Sequence, residues 1–136
     1  MSLTPTEARD EILELFRAAW AAHAGAPQVF YWDTPHDPPR STPFARVTLR
    51  HATGNNDAIG NRLFERMGTV TVQIFTTFGT GLQESDVLSK VAMDAYQGKS
   101  TPGGAWFRNV RLNEIGQDGE FFQVQVLADF TYCEVL

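Results

Sequence analysis

The stretch GTVTVQIFTTFGTGLQESDVLSKVAMDAYQG, which runs from Gly68 to Gly98, decides the fold of this chain. Its first part alternates polar and apolar residues, and that period of two predicts a half-buried β-strand. A Gly-Thr-Gly break follows at 79–81, and apolar residues then recur at helical spacing as far as Gly98, a residue type typical of helix ends. A strand that leads through a glycine turn into an amphipathic helix predicts an α+β protein.

A second amphipathic helix precedes this stretch. Thr4 is a preferred N-cap residue, Pro5 suits the first helical position, and Glu7 completes the spacing of a capping box. The apolar residues that follow form one stripe at steps of three and four: Ala8, Ile12, Leu15, Phe16, Ala19 and Trp20. Gly25 and Pro27 then predict the end of the helix.

The remaining periodic segments predict strands. They are a short aromatic strand at 28–32, alternating strands at 44–50 and 62–75, and a hairpin of 106–115 and 121–132 with its turn at 117–119. The chain order is therefore α-β-β-β-α-β-β. We predict an α+β fold in which a single, mostly antiparallel sheet carries both helices on one face, as one domain over residues 1–136.

Further features of the sequence lead to predictions about particular segments and residues. The segment 33–43 holds four prolines, which predicts an irregular or extended loop. The Gly- and Asn-rich segment 51–61 reads as a mobile hairpin tip. Gly68 is interpreted as a β-bulge, and Cys133, the only cysteine, as a small buried thiol in the last strand.

Composition narrows the class of protein. With 136 residues and a hydrophobic fraction of 43%, the chain can bury a core and is not wholly disordered. A net charge of −5 gives no electrostatic reason to expect nucleic acid as a main partner. The start of the chain lacks a basic leader, and no apolar run is long enough to span a bilayer. We therefore expect a soluble intracellular protein.

No constellation of residues indicates catalysis. The three histidines, His23, His36 and His51, are dispersed without a metal-ligand spacing. The available nucleophiles, Ser41, Thr42 and Cys133, lie in no activating context, and no lysine follows the glycines at 79–81 as a phosphate loop requires. The sequence predicts no enzyme, no catalytic or metal-binding residue and no cofactor.

Aromatic residues are more numerous than one helical layer can cover. Because two helices shield one face of a sheet, several aromatics should fall on its edges or its other face, as at interaction surfaces. The candidate subunit interface comprises Tyr31, Trp32, Phe64, Phe75 and Phe78. The alternative is that the proline-rich loop folds over these side chains within one subunit.

With these elements placed, the chain resembles the tail terminators of tailed phages, the minor tail proteins that complete the tail in lambda-like phages. The resemblance covers nearly the whole chain. It rests on the first helix and on four segments in order: VFYWDTPHDPP at 29–39, PFARVTL at 43–49, RMGTVTVQIFTTFGTG at 66–81 and VQVLADFTY at 124–132.

The resemblance implies an α+β subunit that forms a ring of six copies on the tail tube, ends tube growth and presents a surface for head attachment. Its partners would be its own copies, the tube protein and a head-completion or connector protein, with no membrane and no sequence-specific nucleic acid. The isolated subunit can be a monomer. The implied location is the host cytoplasm during assembly and then the virion tail, and the family has no catalytic residues to transfer.

Two other classes stay open. One is another phage head–tail connector or tube component of related fold, which tubes or a different ring size would favour. The other is a small ligand-binding or enzymatic α+β domain. A closed pocket that holds His36 or His51 beside a carboxylate would favour that second class.

Overall fold

The computed structural model describes residues 2–31, 42–56, 63–79 and 82–135. Their elements follow the predicted chain order: α1 (Pro5–Ala22), β1 (Gln28–Tyr31), β2 (Phe44–Asn56), β3 (Leu63–Thr77), α2 (Gln83–Tyr96), β4 (Trp106–Asp118) and β5 (Phe121–Val135). Within this part of the chain, neither helix is long and apolar enough to cross a membrane.

Helix α1 begins where its caps predict. The hydroxyl of Thr4 accepts a hydrogen bond from the backbone N–H of Glu7 at 3.2 Å, and the Glu7 carboxylate accepts one from the Thr4 N–H at 3.0 Å. These two bonds satisfy backbone donors that have no partner inside the helix. Leu3, just before the cap, donates its N–H to the carbonyl of Cys133, which fastens the start of the chain to β5.

The five strands form one mixed sheet with the spatial order β1-β2-β3-β5-β4. Strand β1 runs parallel to β2, and every other neighbouring pair is antiparallel. The predicted fold class is confirmed, with two qualifications: one edge of the sheet is parallel, and β5 lies between β3 and β4. Local periodicity cannot reveal either feature, because both are set by which strands pair at long range.

Both helices pack on one face of the sheet, as predicted. Their apolar stripes share a single core with alternating residues of β2, β3 and β5, among them Val47, Val72 and Val126. Phe16 and Trp20 of α1 lie in this core, and their rings stack with centroids 5.1 Å apart. The hydroxyl of Tyr96 in α2 donates a hydrogen bond to the Ile12 carbonyl of α1, which ties the helices together.

Two sequence-based expectations about the β2–β3 hairpin need correction. Residues 51–56, expected in a loop, continue strand β2, because pairing with β3 supplies their backbone hydrogen bonds. The bulge lies on β2 between His51 and Gly54, whereas Gly68 keeps its register. Residues 57–61 of the predicted tip, and 33–41 of the proline-rich loop, lie outside the described residues.

The structure also corrects the expectation for the single thiol. Cys133 lies in β5 as predicted, but it is half-buried rather than buried. In the strand register it pairs with Glu65, on the sheet face turned away from the helices. The core that buries the neighbouring Tyr132 is on the other face, so the alternation of β5 leaves Cys133 outside it.

Candidate interaction surfaces

The structure distributes the five candidate interface residues over different parts of the sheet. Tyr31 ends β1 and is half-buried, and burial raises the pKa of its hydroxyl. Phe64 and Phe75 lie on the same strand, eleven positions apart, a separation of about 35 Å at the usual rise of a strand. Phe78 follows that strand and is 49% exposed. Trp32 lies outside the described residues. The four described side chains do not form one patch.

Phe75 belongs to a separate aromatic cluster on the sheet face turned away from the helices. Its ring stacks on Phe44 at 4.4 Å between centroids, and Phe30 and Phe121 meet the pair edge to face. Phe75 is only 5% exposed. As the sequence leads one to expect, these aromatics fall on the opposite face, but their mutual packing hides the Phe75 ring from solvent.

Four arginines project from the same open face of the sheet. We call Arg46 and Arg50 of β2, with Arg108 and Arg111 of β4, the arginine face; the strand register places all four side chains on this side. The guanidinium of Arg46 lies over the Phe75 ring at 5.6 Å, and that of Arg108 over the exposed Trp106 ring at 5.6 Å. Stacking of this kind holds a guanidinium group in place over an aromatic ring.

The arginines of this face differ in the hydrogen bonds that their guanidinium groups make. Asp129 accepts hydrogen bonds from Thr69 at 3.0 Å and from Arg111 at 3.3 Å. Burial raises the pKa of Asp129, but hydrogen bonds from Asn109 and Thr69 and the charge of Arg111 outweigh it and lower the pKa. Among the described residues, by contrast, the Nε of Arg46 is buried without any hydrogen-bond partner.

The second surface lies at the end of the sheet where β3 leads into α2. Four of the large apolar side chains that stay exposed belong to the segments that meet or adjoin this end: Phe78, Leu82, Val87 and Ile115. The backbone N–H of Phe78 bonds to the carbonyl of Glu120 in the β4–β5 turn, which joins these segments. Contiguous exposed apolar surface is typical of an interaction site.

Carboxylates lie close in sequence to these apolar side chains. Glu84 and Asp86 begin α2, and Glu114, Asp118 and Glu120 lie on the β4–β5 hairpin. Residues 78–79, 82–88 and 112–121 contain no lysine or arginine. We call this region the acidic apolar end. Beside it a cleft of about 370 Å³ opens between the end of α1 and the start of α2, lined by His23, Gly25 and the first turns of α2.

Sequence reasoning found Phe78 but missed the other apolar residues of this end. Ile115 belongs to an edge strand in which most side chains are exposed and none is buried, so its alternation does not distinguish an apolar surface residue. Val87 lies beside the core stripe of α2, where a helical wheel would have placed it at the margin. The signal that could have found them is large apolar residues at positions that no core stripe uses.

His51 is the histidine with the most contacts in the described part of the chain. Its Nε2 lies 2.6 Å from the hydroxyl of Tyr132, and a nearby ion pair joins Arg66 to Glu134 at 2.8 Å. Burial, with the charges of Arg9 and Arg66, lowers the pKa of His51 below 6.5. Within the described part of the chain, the side-chain hydrogen-bond partner of His51 is a tyrosine; His36 lies outside that part.

Two further observations bear on chemistry at this site. Among residues 2–31, 42–56, 63–79 and 82–135, no group of three or more His, Cys, Asp or Glu side chains could hold a metal ion. Burial is also the main cause that raises the pKa of Tyr132, which keeps this hydroxyl protonated. The hydrogen bond between His51 and Tyr132 thus joins β2 to β5 at this end of the core.

The fold defines a two-layer α+β protein, and comparison with known proteins agrees at that level. No model of a known family matches the chain, and no curated protein sequence matches it. One solved structure, whose name describes no function, is similar with a TM-score of 0.74 at 15% identity, over 99% of this chain and 97% of that one. A chain from the "Virion of native gene transfer agent (GTA) particle" is similar with a TM-score of 0.55 at 13% identity.

That second likeness covers 90% of this chain and 95% of the other. At such identities the likeness concerns the fold alone. It nevertheless extends over nearly the full length of both chains, so the two proteins share the whole arrangement of elements and not a fragment of it.

Proposed function

We propose that this protein is a structural component of a phage-like particle, and specifically that it caps the tail tube as a ring. The observation that carries the proposal is the full-length likeness to a chain of a gene transfer agent virion. The sequence resemblance to tail terminators adds the finer role: ending tube growth and providing the head-joining surface. The proposed partners are further copies of the chain, the tube protein and a head-completion protein.

The surfaces support an assembly role. An apolar end and an arginine face on different parts of one subunit are the kind of unlike patches that a head-to-tail ring requires. A subunit that must stay apart until the tube end is available also benefits from weak contacts, which close only when neighbours raise the effective concentration.

The test is the length of the tails. We propose deleting the gene in a strain that produces the particles and measuring tails by negative-stain electron microscopy. Tails that are overlong, or that remain unjoined to heads, and that return to normal with the wild-type gene are the expected result. Tails of normal length joined to heads in the deletion strain would contradict the capping role.

The same likeness is compatible with a connector or a tube component, and the purified protein distinguishes these roles. A tube component is expected to polymerise into long tubes by itself, whereas a capping protein forms closed rings or stays monomeric. The proposed role also needs no catalytic group. His51→Gln, in a folded protein, is therefore expected to restore normal tails, and failure to do so would reopen the enzymatic reading.

A further inference from the structure

We propose that the acidic apolar end of one copy packs against the arginine face of the next, so that the two surfaces form the head-to-tail contact of the ring. This inference rests on the proposed function for the ring itself. It commits to a second copy of this chain as the occupant of both surfaces.

The first reason is charge complementarity within one sequence. The acidic apolar end carries five carboxylates and, in its described segments, no basic residue. The arginine face carries four guanidinium groups, and the carboxylates on the same side of the sheet are those of Asp129, Glu65 and, next to the β4–β5 turn, Asp118. Opposite potentials on two patches favour their encounter and fix how copies are oriented.

The second reason is that the described ion pairs leave the two surfaces unjoined within one subunit. Among the described residues, no ion pair links the acidic apolar end to the arginine face, and the pair of Arg111 with Asp129 lies within that face.

The third reason is that the apolar side chains of one surface suit the aromatic and arginine side chains of the other. The acidic apolar end offers exposed Phe78, Leu82 and Ile115, and the arginine face offers the half-exposed Trp106 with Arg108 stacked on it. Aromatic residues and arginine are enriched at the centres of protein interfaces, where apolar area and charge are buried together. Nucleic acid fits less well, because a net charge of −5 repels a polyanion.

Strand addition at the free edge of β4 is not the expected mode. Strand β4 has register shifts between Arg108 and Arg111 and between Glu114 and Gly116. Bulges of this kind interrupt the regular row of backbone donors and acceptors and protect an edge from pairing. The contact is therefore made by side chains, which makes it accessible to charge reversal.

The experiment uses two charge-reversed proteins and their mixture. The first combines Glu114→Arg with Glu120→Arg, so that its end becomes basic. The second combines Arg50→Glu with Arg108→Glu, so that its arginine face becomes acidic. All four side chains are exposed, and circular dichroism and thermal unfolding check that each protein folds. Association is measured by sedimentation equilibrium up to millimolar concentration, at low and at high salt.

The wild-type protein is expected to associate, less so at high salt, and each variant alone at least about tenfold more weakly. The equimolar mixture is expected to associate again. In an assembly where the two variants alternate, the basic end of the first meets the acidic face of the second, and the acidic end of the second meets the basic face of the first. Matched controls carry the same charge changes elsewhere: Asp10→Arg with Asp94→Arg, and Lys90→Glu with Lys99→Glu. These controls are expected to associate like the wild type, each on its own.

Three outcomes would overturn the proposal: a wild-type protein that stays monomeric at millimolar concentration, variants that associate normally, or a mixture that does not recover. Binding of duplex DNA that is lost with Arg50→Glu and Arg108→Glu, while association is unchanged, would assign the arginine face to nucleic acid instead. The capping role is judged separately by tail length, so overlong tails in the deletion strain keep that role even if this contact fails.

Discussion

Single residues hold the helices and the strands of this protein together. Trp20 closes the core between α1 and the sheet, and its indole N–H also bonds to the Pro27 carbonyl at 2.9 Å. Gly68 permits the close approach of Phe130 and the backbone of β2. His51 meets Tyr132 at the end of the core. Each of these residues allows a test of the contact that it makes.

Replacing the buried indole should cost far more than replacing an exposed one. Trp20 is 4% exposed and Trp106 is 44% exposed. We expect Trp20→Ala to lower the free energy of unfolding by about 3–5 kcal/mol, through lost burial and the cavity left behind. Trp106→Ala should cost less than about 1 kcal/mol. Urea denaturation measures both, and similar values for the two variants would show that Trp20 is not a core residue.

A methyl group at Gly68 has no space. A Cβ there would lie 2.2 Å from the carbonyl oxygen of Arg50 and 2.5 Å from the Phe130 ring. We expect Gly68→Ala to destabilise the protein by at least about 1–3 kcal/mol, the usual cost of overpacking. Because the nearer contact is with backbone, adding Phe130→Leu should not restore stability. Recovery in the double variant, measured by urea denaturation, would mean that the aromatic ring alone is in conflict.

The depressed pKa of His51 predicts a loss of stability in acid. The unfolded chain binds the proton first as the pH falls, since burial disfavours the charged imidazole in the folded state. The free energy of unfolding should therefore fall as the pH drops below about 6.5. We expect His51→Gln to weaken this dependence between about pH 7 and 5.5. Identical pH profiles for wild type and His51→Gln, from thermal unfolding, would contradict the assignment.

At the scale of elements, the two ends of the sheet are protected differently. Strand β1 is short, with four residues, whereas β4 is long and its pairing with β5 is broken twice by register shifts. Short edges and bulges both discourage pairing with other chains. Helix α1 begins with a complete capping box, whereas Leu82, the N-cap residue of α2, makes no side-chain capping hydrogen bond. The start of α2, which belongs to the acidic apolar end, therefore lacks the stabilisation that a side-chain cap provides.

The capping box of α1 makes a prediction about that helix alone. Thr4→Ala removes the hydroxyl that accepts the Glu7 N–H, and we expect a loss of about 1 kcal/mol. Thr4→Ser keeps an acceptor and should remain close to the wild type. Chemical denaturation compares the three proteins. Equal losses from serine and alanine would show that the methyl group of Thr4, and not its hydroxyl, stabilises the start of the helix.

At the scale of the whole molecule, charge and apolar surface are segregated. A chain with a net charge of −5 carries four arginines on one face of its sheet and gathers exposed apolar side chains and carboxylates at one end. Neither feature contributes to the core, because both lie outside the layer between the helices and the sheet. Surface side chains of this kind are expected to affect assembly more than folding.

Substitutions at two exposed aliphatic residues can distinguish effects on assembly from effects on folding. Ile115 lies at the acidic apolar end and is 49% exposed, while Val135 lies at the other end of the sheet and is 52% exposed. We expect Ile115→Thr and Val135→Thr each to change the free energy of unfolding by less than about 0.5 kcal/mol. Only Ile115→Thr should weaken self-association in sedimentation equilibrium. Equal effects on association would remove the acidic apolar end from the interface.

Much of the fold can be read from the sequence because it depends on local periodicity. The helix of α1 and the alternation of β3 and β5 are marked by spacing, and the structure has them where they were expected. The predicted strand ends were less accurate where pairing with a distant strand decides how far a strand extends. Residues 51–56 look like a loop by composition, but their pairing with β3 makes them part of β2. The candidate interface was read from surplus aromatics, and that signal does not separate the exposed Phe78 from the buried Phe75.

The sequence by itself determined the α+β class, the chain order of the elements and the side of each helix that is buried, because hydrophobic period and caps act over a few residues. Only the tertiary structure decided the position of β5 between β3 and β4, the parallel pairing of β1 and the burial of Phe75. It also brought together the apolar residues of the β3–α2 and β4–β5 connections at one end. Such surfaces join residues far apart in the chain, and long-range strand pairing alone sets which of them become neighbours.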